Sequence, residues 1–251
     1  MKNTQKGEDE MDKLYIVIPA YNEEANIEKV IREWYPVVER YHGDGGSRLV
    51  VIDDGSKDKT YEIMCRMKEG RPLLCPVTKP NAGHGATVLY GYQYALEHQA
   101  DYVFQTDSDG QTLPEEFHQF WPLREQYAMI IGYQNKRQDG FSRILVTKTL
   151  KMVIWLCFHV SVTDANTPFR LMEARALREN IQWVPEGFNL SNVLLLVIYA
   201  KKKQAVKYIP ITFRPRQGGK NSINLPKIIK IGRDALRDFI RLNKELNKKI
   251  R

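Results

Sequence analysis

Two carboxylates one residue apart, Asp107 and Asp109, are the side chains in this sequence best suited to chemistry. They follow the apolar run 101–105 and lie in a Gly-containing segment, 106–111. Carboxylate oxygens are the ligands that Mg²⁺ and Mn²⁺ prefer, and Mg²⁺ usually leaves most of its shell to water and phosphate oxygens. The pattern therefore predicts a divalent cation that faces a diphosphate leaving group. Asp, Ser and Gly also form ordinary surface turns, so the spacing alone leaves that alternative open.

A second acidic pair, Asp53 and Asp54, follows another apolar, β-branched run, residues 48–52. A first predicted strand, 14–18, ends in the polar segment 19–24. In an open α/β sheet, ligands bind beyond the carboxyl ends of the strands. We therefore expect the three polar loops to meet at one site.

Strand and helix patterns alternate along the first half of the chain, which predicts a mostly parallel sheet with helices on both faces. Asn22 is expected to cap the first helix, with Glu23 and Glu24 in its first turn. The predicted helices are residues 23–39, 60–68 and 87–99, and the predicted strands are 48–52, an edge segment within 72–76, and 102–106.

The second half is less regular. It predicts a strand at 129–131, a helix at 141–160, a polar loop at 163–170 that opens a further helix, and a strand at 208–213. The basic, Gly-rich segment 214–222 is expected to be a flexible cover for an anion.

The length of 251 residues, with 43% apolar and 27% charged side chains, fits one large globular domain. We expect a loose tail at 1–12, a catalytic domain at 13–222 and a helical tail at 223–251. The polar first ten residues are expected to be neither a secretory signal nor an anchor. No apolar run reaches the roughly 18 to 20 residues that cross a bilayer. Three cysteines without metal-ligand spacing suit a reducing, cytoplasmic compartment.

Most of the net charge of +8 lies in the tail, where residues 227–251 carry nine basic and three acidic side chains. Apolar residues recur there at helical spacing, so a basic amphipathic helix is predicted. Such a helix either binds a membrane surface or packs its apolar face on the domain, and the sequence leaves both open. Nucleic acid is not an expected partner, because no stacking-aromatic pattern accompanies the charge.

Four ordered segments, 18–24, 51–56, 81–86 and 106–111, resemble the motifs of the family 2 glycosyltransferases, which have the GT-A fold. Segments 163–170 and 213–216 make the chain most similar to the polyprenyl-phosphate glycosyltransferases, the dolichol-phosphate mannose synthase group. The Gln-x-x-Arg-Trp signature of processive synthases is absent, so a single sugar transfer is expected.

The resemblance implies a role for each matched position on the donor side. Asp107 and Asp109 would hold the Mg²⁺ or Mn²⁺ that bridges the diphosphate, with Ser108 and Gln111 beside them. Asp53 would support its loop or reach the sugar. His84 stands where relatives often carry Lys, and it either donates to a phosphate or is a neutral loop residue. The nucleoside pocket would be lined by Pro19, Tyr21, Glu23 and Asp54.

On the acceptor side, the family's lipid-phosphate site uses two Arg and a hydroxyl. Arg143 and Thr147 lie four residues apart on one predicted helix face, and Arg suits bidentate phosphate binding. These side chains could equally be solvated. The full expected acceptor set is Arg137, Arg143, Thr147, Arg170, Arg216 and Lys220.

The acceptor decides whether a general base is needed. A hydroxyl must lose its proton as it attacks, whereas a phosphate monoester, with a second pKa of about 6, is already an anion near neutral pH. Asp164 is the candidate base for a hydroxyl, and its alternative role is to orient its loop and Arg170. The family implies an inverting, single-displacement reaction in either case.

The expected activity is transfer of one sugar from a UDP- or GDP-linked donor to a polyprenyl phosphate, by a cytoplasmic enzyme peripheral to the inner membrane face. The alternatives are transfer to a saccharide hydroxyl in polysaccharide synthesis and a noncatalytic, membrane-recruited sugar-nucleotide-binding module.

Overall fold

The structure is a computed structural model that describes residues 12–42, 46–134, 141–165, 167–185, 187–188, 190–215, 236 and 238–244, with the backbone alone for 141–148. The described strands are β1 (Leu14–Ala20), β2 (Arg48–Asp53), β3 (Leu74–Thr78), β4 (Tyr102–Gln105), β5 (Met129–Gln134), β6 (Arg170–Glu173) and β7 (Val206–Ile211). The helices are α1 (Ile27–Arg40), α2 (Thr60–Lys68), α3 (His84–Glu97), α4 (Phe141–Phe158), α5 (Ala174–Ile181) and α6 (Ser191–Lys201). Two short 3₁₀ turns, Pro114–Gln119 and Trp121–Leu123, precede β5.

The seven described strands form one sheet in the order β3-β2-β1-β4-β6-β5-β7. All neighbouring pairs are parallel except the two that involve β6, which runs antiparallel to β4 and to β5. The predicted mostly parallel sheet is therefore confirmed. β3 lies at one edge, as expected of the segment that contains Pro76.

Both faces of the central strands are covered, which explains why their sequences are continuous apolar runs. Because side chains alternate along a strand, Ile16 and Ile18 join the apolar cluster with α1, whereas Tyr15 and Val17 join the cluster with α3. Gly91 lets α3 approach closely, since a Cβ there would overlap Val17 and lie 2.6 Å from Ile52 Cδ1. This close contact fixes the start of α3 relative to the ends of β1 and β2.

The structure corrects several predicted boundaries. The first helix begins at Ile27 rather than after Asn22, because Asn22 has a left-handed φ of 53° and belongs to the loop. α3 begins at His84, three residues before the predicted Thr87. The loop 163–170 leads first into β6 and only then into α5. β6 has four residues, too few to show a strand period in the sequence.

The described part of the tail, residues 236 and 238–244, is helical. This tail helix packs on the domain: Phe239 and Leu242 are buried, and the Phe239 ring lies 5.2 Å from that of Phe158. Among the described helices, none combines the length and the hydropathy needed for a membrane span. Asp12, from the predicted loose N-terminal tail, pairs with Arg124 at 2.8 Å, and residues 1–11 lie outside the described part.

Candidate active site

The polar loops after β1, β2 and β4 meet at the carboxyl ends of these strands, as predicted. β1 pairs with β2 through Ala20 and Asp53 at their carboxyl ends. Beyond those ends, Asp54 N–H donates to Ala20 O at 2.8 Å, and Thr106 N–H donates to Val17 O at 3.2 Å. The candidate residues of all three loops are therefore held on a single sheet edge.

The loop after β1 is joined to the loop after β2. Asn22 N–H donates to Ser56 Oγ at 2.9 Å, and Lys57 N–H donates to Asn22 Oδ1 at 2.8 Å. Glu23 N–H donates to Thr60 Oγ1, and the Glu23 carboxylate accepts from Asn26 Nδ2 at 2.7 Å. Glu23 is buried by these contacts, whereas the neighbouring Tyr21 ring is exposed. Tyr21 is thus available to a flat ligand such as a nucleobase.

Asp54 organises the segment before α3. Its carboxylate binds Lys79 Nζ and accepts 2.9 Å hydrogen bonds from the N–H groups of Ala82 and Gly83. Burial acts to raise the pKa of Asp54, but the bonds from Lys79 and Ala82 outweigh it, so the pKa lies below the ordinary value. The predicted contact of Asp54 with a nucleoside remains a prediction. A hydrogen-bond donor on a ligand would share this carboxylate with the three protein groups that already donate to it.

Lys79 was not anticipated from the sequence. Its side chain is mostly buried, its ammonium lies against Asp54, and its N–H donates to Asp53 O at 3.1 Å. Asp53 accepts from Ser56 N–H at 3.1 Å and from the Thr78 hydroxyl at 2.7 Å. These bonds favour the loop-supporting alternative for Asp53. The only sequence signal for Lys79 was its place just before the motif at 81–86.

The turn after β4 presents the predicted cation ligands. Asp107 Oδ1 is buried and, among the described residues, has no hydrogen-bond partner. Asp109 Oδ1 accepts from Gln111 N–H at 3.1 Å, and the intervening Ser108 is buried. A buried carboxylate oxygen without a donor is costly unless a cation or a water satisfies it. The turn therefore fits a divalent cation.

Within the described residues, no group of three or more His, Cys, Asp or Glu side chains could enclose a metal. The arrangement suits a cation that takes two carboxylates from the protein and completes its shell with water and phosphate oxygens. Gln111 Nε2 donates to Arg214 O at 3.2 Å, which leaves Oε1 as the end of the amide able to ligate a cation.

His84 stands next to this turn. It is the first residue of α3, it is half-exposed, and its Nε2 lies 3.9 Å from Asp107 Oδ1. The N-terminus of a helix carries partial positive charge and unpaired N–H groups, which favour phosphate. The position of His84 is thus compatible with the predicted phosphate contact.

Arg214 holds the start of the basic segment against the turn at residues 106–111, which we call the cation turn. Its N–H donates to Gln111 O at 2.7 Å, and its guanidinium donates to Thr112 O at 3.1 Å. The same guanidinium forms a two-pronged ion pair with Glu33 of α1, at 2.9 and 3.2 Å. Neither the role of Arg214 as an anchor nor that of Glu33 was anticipated, because the two lie 181 residues apart.

Arg170, which is predicted to bind the acceptor phosphate, lies inside the protein. Its side chain is fully buried, and its guanidinium donates to the carbonyl oxygens of Ala165, Thr167 and Asn192 at 2.6–3.3 Å. Burial lowers the pKa of Arg170, and the charge of Asp164 is among the groups that oppose this shift. Arg170 therefore holds Ala165 and Thr167 to α6 from inside the protein.

Asp164 is buried in the same loop. It directly precedes Ala165, whose carbonyl oxygen accepts a hydrogen bond from the Arg170 guanidinium at 3.3 Å. That surrounding supports its predicted orienting role and does not test the role of base. The remaining acceptor residues, Arg137, Arg216 and Lys220, lie outside the described residues, as do the side chains of Arg143 and Thr147.

A buried cluster of hydrogen-bonded side chains next to the turn at 106–111 was not predicted from the sequence. The Tyr92 hydroxyl bonds Gln105 Oε1 and lies 3.1 Å from Asn192 Oδ1. Gln105 ends β4 just before the turn, and Asn192 O is a partner of Arg170. Burial raises the pKa of Tyr92, so the hydroxyl stays protonated as a donor at neutral pH. These contacts link the cation turn to the loop that contains Asp164.

Comparison with known proteins gives a family match. The model of the family described as glycosyl transferase family 2 matches residues 15–181. An undecaprenyl-phosphate 4-deoxy-4-formamido-L-arabinose transferase from Pseudomonas syringae is 27% identical over 209 residues, which are 78% of this chain and 60% of that protein. A UDP-N-acetylglucosamine–dolichyl-phosphate N-acetylglucosaminyltransferase from Methanococcus voltae is 27% identical over 221 residues, 80% of this chain and 85% of that protein. The chain thus spans less than two thirds of the first relative's length.

Solved structures confirm the fold class. Glucosyl-3-phosphoglycerate synthase from Mycobacterium tuberculosis in complex with phosphoglyceric acid has a TM-score of 0.67 and 19% identity, over 93% of this chain and 80% of that chain. The same enzyme in complex with Mn²⁺ and UDP-glucose has a TM-score of 0.65 and 19% identity, over 93% of this chain and 79% of that chain.

Proposed function

This chain belongs to glycosyl transferase family 2, and on that premise we propose that it transfers one sugar from a nucleoside diphosphate sugar to a polyprenyl phosphate. The observation that carries the proposal is the turn at 106–111, where the buried Asp107 Oδ1 accepts no hydrogen bond from the described residues and lies in the same turn as Asp109 and Gln111. When bound, Mg²⁺ or Mn²⁺ would neutralise the charge that develops on the departing nucleoside diphosphate. Asp107, Asp109 and Gln111 would hold it.

The nucleoside diphosphate sugar lies along the three loops that follow β1, β2 and β4. Tyr21 and Glu23 contact the nucleoside, and the N-terminus of α3 with His84 faces the diphosphate beside Asp107. Asp54 and Lys79 keep that N-terminus in place through Ala82 and Gly83. Support for a UDP-linked donor and for Mn²⁺ comes from the structural neighbour solved with Mn²⁺ and UDP-glucose. A GDP-linked donor is the alternative that the assay below compares.

A phosphate acceptor suits the surroundings of Asp164. A phosphate monoester attacks as an anion and requires no general base. In this structure Asp164 is buried beside Ala165, whose carbonyl oxygen bonds Arg170, a position suited to holding the loop. The names of the two relatives, an undecaprenyl-phosphate transferase and a dolichyl-phosphate transferase, also support a polyprenyl phosphate. We propose that the reaction inverts the sugar in one displacement, at the cytosolic membrane face.

The experiment that tests this function measures nucleoside diphosphate release from UDP- and GDP-sugars, with Mn²⁺ or Mg²⁺, with and without a short polyprenyl phosphate. Release that the lipid stimulates, and that Asp109→Asn lowers by about 10²- to 10³-fold, is the expected result. Donor binding without stimulation would overturn the lipid-phosphate acceptor and direct the search to saccharide hydroxyls. Stimulated release that persists in Asp109→Asn would overturn the role of the turn.

A further inference from the structure

Three buried polar side chains behind the cation turn are joined by the Tyr92 hydroxyl. Tyr92 belongs to α3, Gln105 ends β4, and Asn192 is the second residue of α6. Tyr92 and Gln105 are fully buried, and Asn192 is 6% exposed. We call these three residues the Tyr92 cluster. Burying polar atoms is costly unless each finds a partner, so an atom of the cluster that lacks one indicates a partner still to be identified.

One amide of the cluster is paired at one end only. The Tyr92 hydroxyl has a single proton, and Gln105 Oε1 is the closer of its two contacts. Burial raises the pKa of Tyr92, so the proton stays available for this bond. Gln105 Nε2, at the other end of the amide, is buried and forms no hydrogen bond within the part of the chain that the structure describes. Tyr92 therefore fixes Gln105 with its N–H groups directed away from the hydroxyl.

Asp107 supplies a complementary atom two residues further on. Its Oδ1 is buried and accepts no hydrogen bond from the described residues. Thr106, between Gln105 and Asp107, continues the strand pairing, since its N–H donates to a carbonyl oxygen of β1 at 3.2 Å. Alternate residues of an extended strand point to the same face. Contacts with α3 agree, because Tyr92 bonds Gln105 and His84 Nε2 lies 3.9 Å from Asp107 Oδ1. A donor and an acceptor that the described residues leave unpaired thus lie on one face of one strand.

We propose that Gln105 and Tyr92 are positioning residues for the cation. Gln105 Nε2 donates to Asp107 Oδ1, directly or through one water, and Tyr92 holds the amide in that orientation. Groups that ligate a metal are commonly oriented by hydrogen bonds from outer side chains. A carboxylate oxygen has two lone pairs, so Asp107 Oδ1 can accept from Gln105 and still face a cation. The inference rests on the proposed function only for the presence of the cation.

The test is Mn²⁺ binding by the full chain, followed by the electron paramagnetic resonance of the free ion, with UDP and in a parallel series with GDP. Tyr92→Phe removes only a hydroxyl, and Gln105→Leu removes the amide at similar volume. Both variants are expected to bind Mn²⁺ about 10- to 100-fold more weakly, because Asp107 loses the group that orients it. Tyr199→Phe is the matched control, since it removes the hydroxyl of another fully buried tyrosine in the same apolar cluster, on α6. It should leave Mn²⁺ binding unchanged.

A role in cation positioning differs from a role in folding alone. Saturating Mn²⁺ should return kcat of Tyr92→Phe and Gln105→Leu close to that of the wild type, because neither side chain is placed at the reacting atoms. A lower melting temperature in both variants with wild-type affinity for Mn²⁺ would overturn the proposal. Absence of Mn²⁺ binding by the wild type in both series would also overturn it.

A crystal structure of the wild type with Mn²⁺ and the nucleoside diphosphate that binds gives a check that needs no variant. Gln105 Nε2 should lie within about 3.2 Å of Asp107 Oδ1, or of one water that bonds both atoms. Gln105 Nε2 bonded to a different group would overturn the proposal. Weaker Mn²⁺ binding in the variants without lipid-stimulated release in the wild type would support this inference and overturn the proposed function. Stimulated release with unchanged Mn²⁺ binding in the variants would do the reverse.

Discussion

Gln111 and Arg214 are bound to each other through two hydrogen bonds. Arg214 N–H donates to Gln111 O at 2.7 Å, and Gln111 Nε2 donates back to Arg214 O at 3.2 Å. This pairing joins the cation turn to the segment that follows β7. It also sets which end of the Gln111 amide can face a cation. The cation turn is thus braced from outside by a residue distant in sequence.

Asp109→Asn is expected to lower turnover by about 10²- to 10³-fold, because the isosteric amide keeps the bond from Gln111 N–H but loses the charge that holds the cation. Nucleoside diphosphate release measures the effect, with melting temperature as the check on folding. The exposed Glu69→Gln is the control and should retain full activity. Wild-type turnover in Asp109→Asn would show that the turn does not hold the catalytic cation.

Glu33→Gln is expected to weaken cation affinity by about tenfold, as changes to groups that orient metal ligands commonly do. Glu33 acts as a positioning residue through Arg214, so kcat at saturating Mn²⁺ should return close to that of the wild type. A Mn²⁺ titration of activity makes the measurement. Glu28→Gln, which removes an exposed ion pair on the same helix, should leave the titration unchanged. A loss that saturating Mn²⁺ does not restore would contradict the positioning role.

Asp164→Asn is expected to change kcat by less than about tenfold with a polyprenyl phosphate, since removing a required general base costs about 10²- to 10⁴-fold. The structural effect should appear instead as a lower melting temperature, because the charge near the buried Arg170 is lost. Transfer kinetics and calorimetry on the same sample separate the two effects. A large loss of kcat with donor and acceptor binding intact would favour a hydroxyl acceptor.

Gly91→Ala is expected to destabilise the fold by about 1–3 kcal/mol, because the new methyl group would overlap Val17 and Ile52 in a filled interface. Chemical denaturation measures the change in the free energy of unfolding. Gln93→Ala, an exposed substitution two residues further along α3, is the control and should be neutral or slightly stabilising. An unchanged midpoint in Gly91→Ala would mean that α3 can move away from the sheet at little cost.

The free energy of unfolding should depend on the protonation of Asp54 at acid pH. Its folded pKa lies below the ordinary value of 3.8, so its contribution is present above the unfolded pKa and is lost as pH falls through the folded pKa. Asp54→Asn should therefore lower the free energy of unfolding at neutral pH and flatten its fall below about pH 4. Denaturation at a series of pH values measures this, with the exposed Glu62→Gln as control. Parallel curves for wild type and Asp54→Asn would contradict it.

Much of the fold was predictable because it rests on local patterns. Strands β1, β2 and β4 are buried on both faces, so each is a continuous apolar run, and each ends where polar side chains begin. The bounds of α2 matched the prediction. β6 was missed because four residues between two antiparallel neighbours carry no period of their own. The start of α1 was misplaced because the Asn22 side chain bonds Lys57 N–H across loops instead of capping the helix.

The sequence by itself determined which side chains could hold a cation and a diphosphate, since Asp107, Asp109 and their strand lie within a few residues of one another. Only the tertiary structure decided which neighbours support them and which candidates are withdrawn from solvent. Lys79 reaches Asp54, Arg214 reaches Glu33, and Arg170 turns inward to carbonyl groups. A charged residue has the same identity and the same place in the sequence whether its side chain faces water or the core. Its surroundings come from chain segments that are distant in sequence and are brought together only by packing.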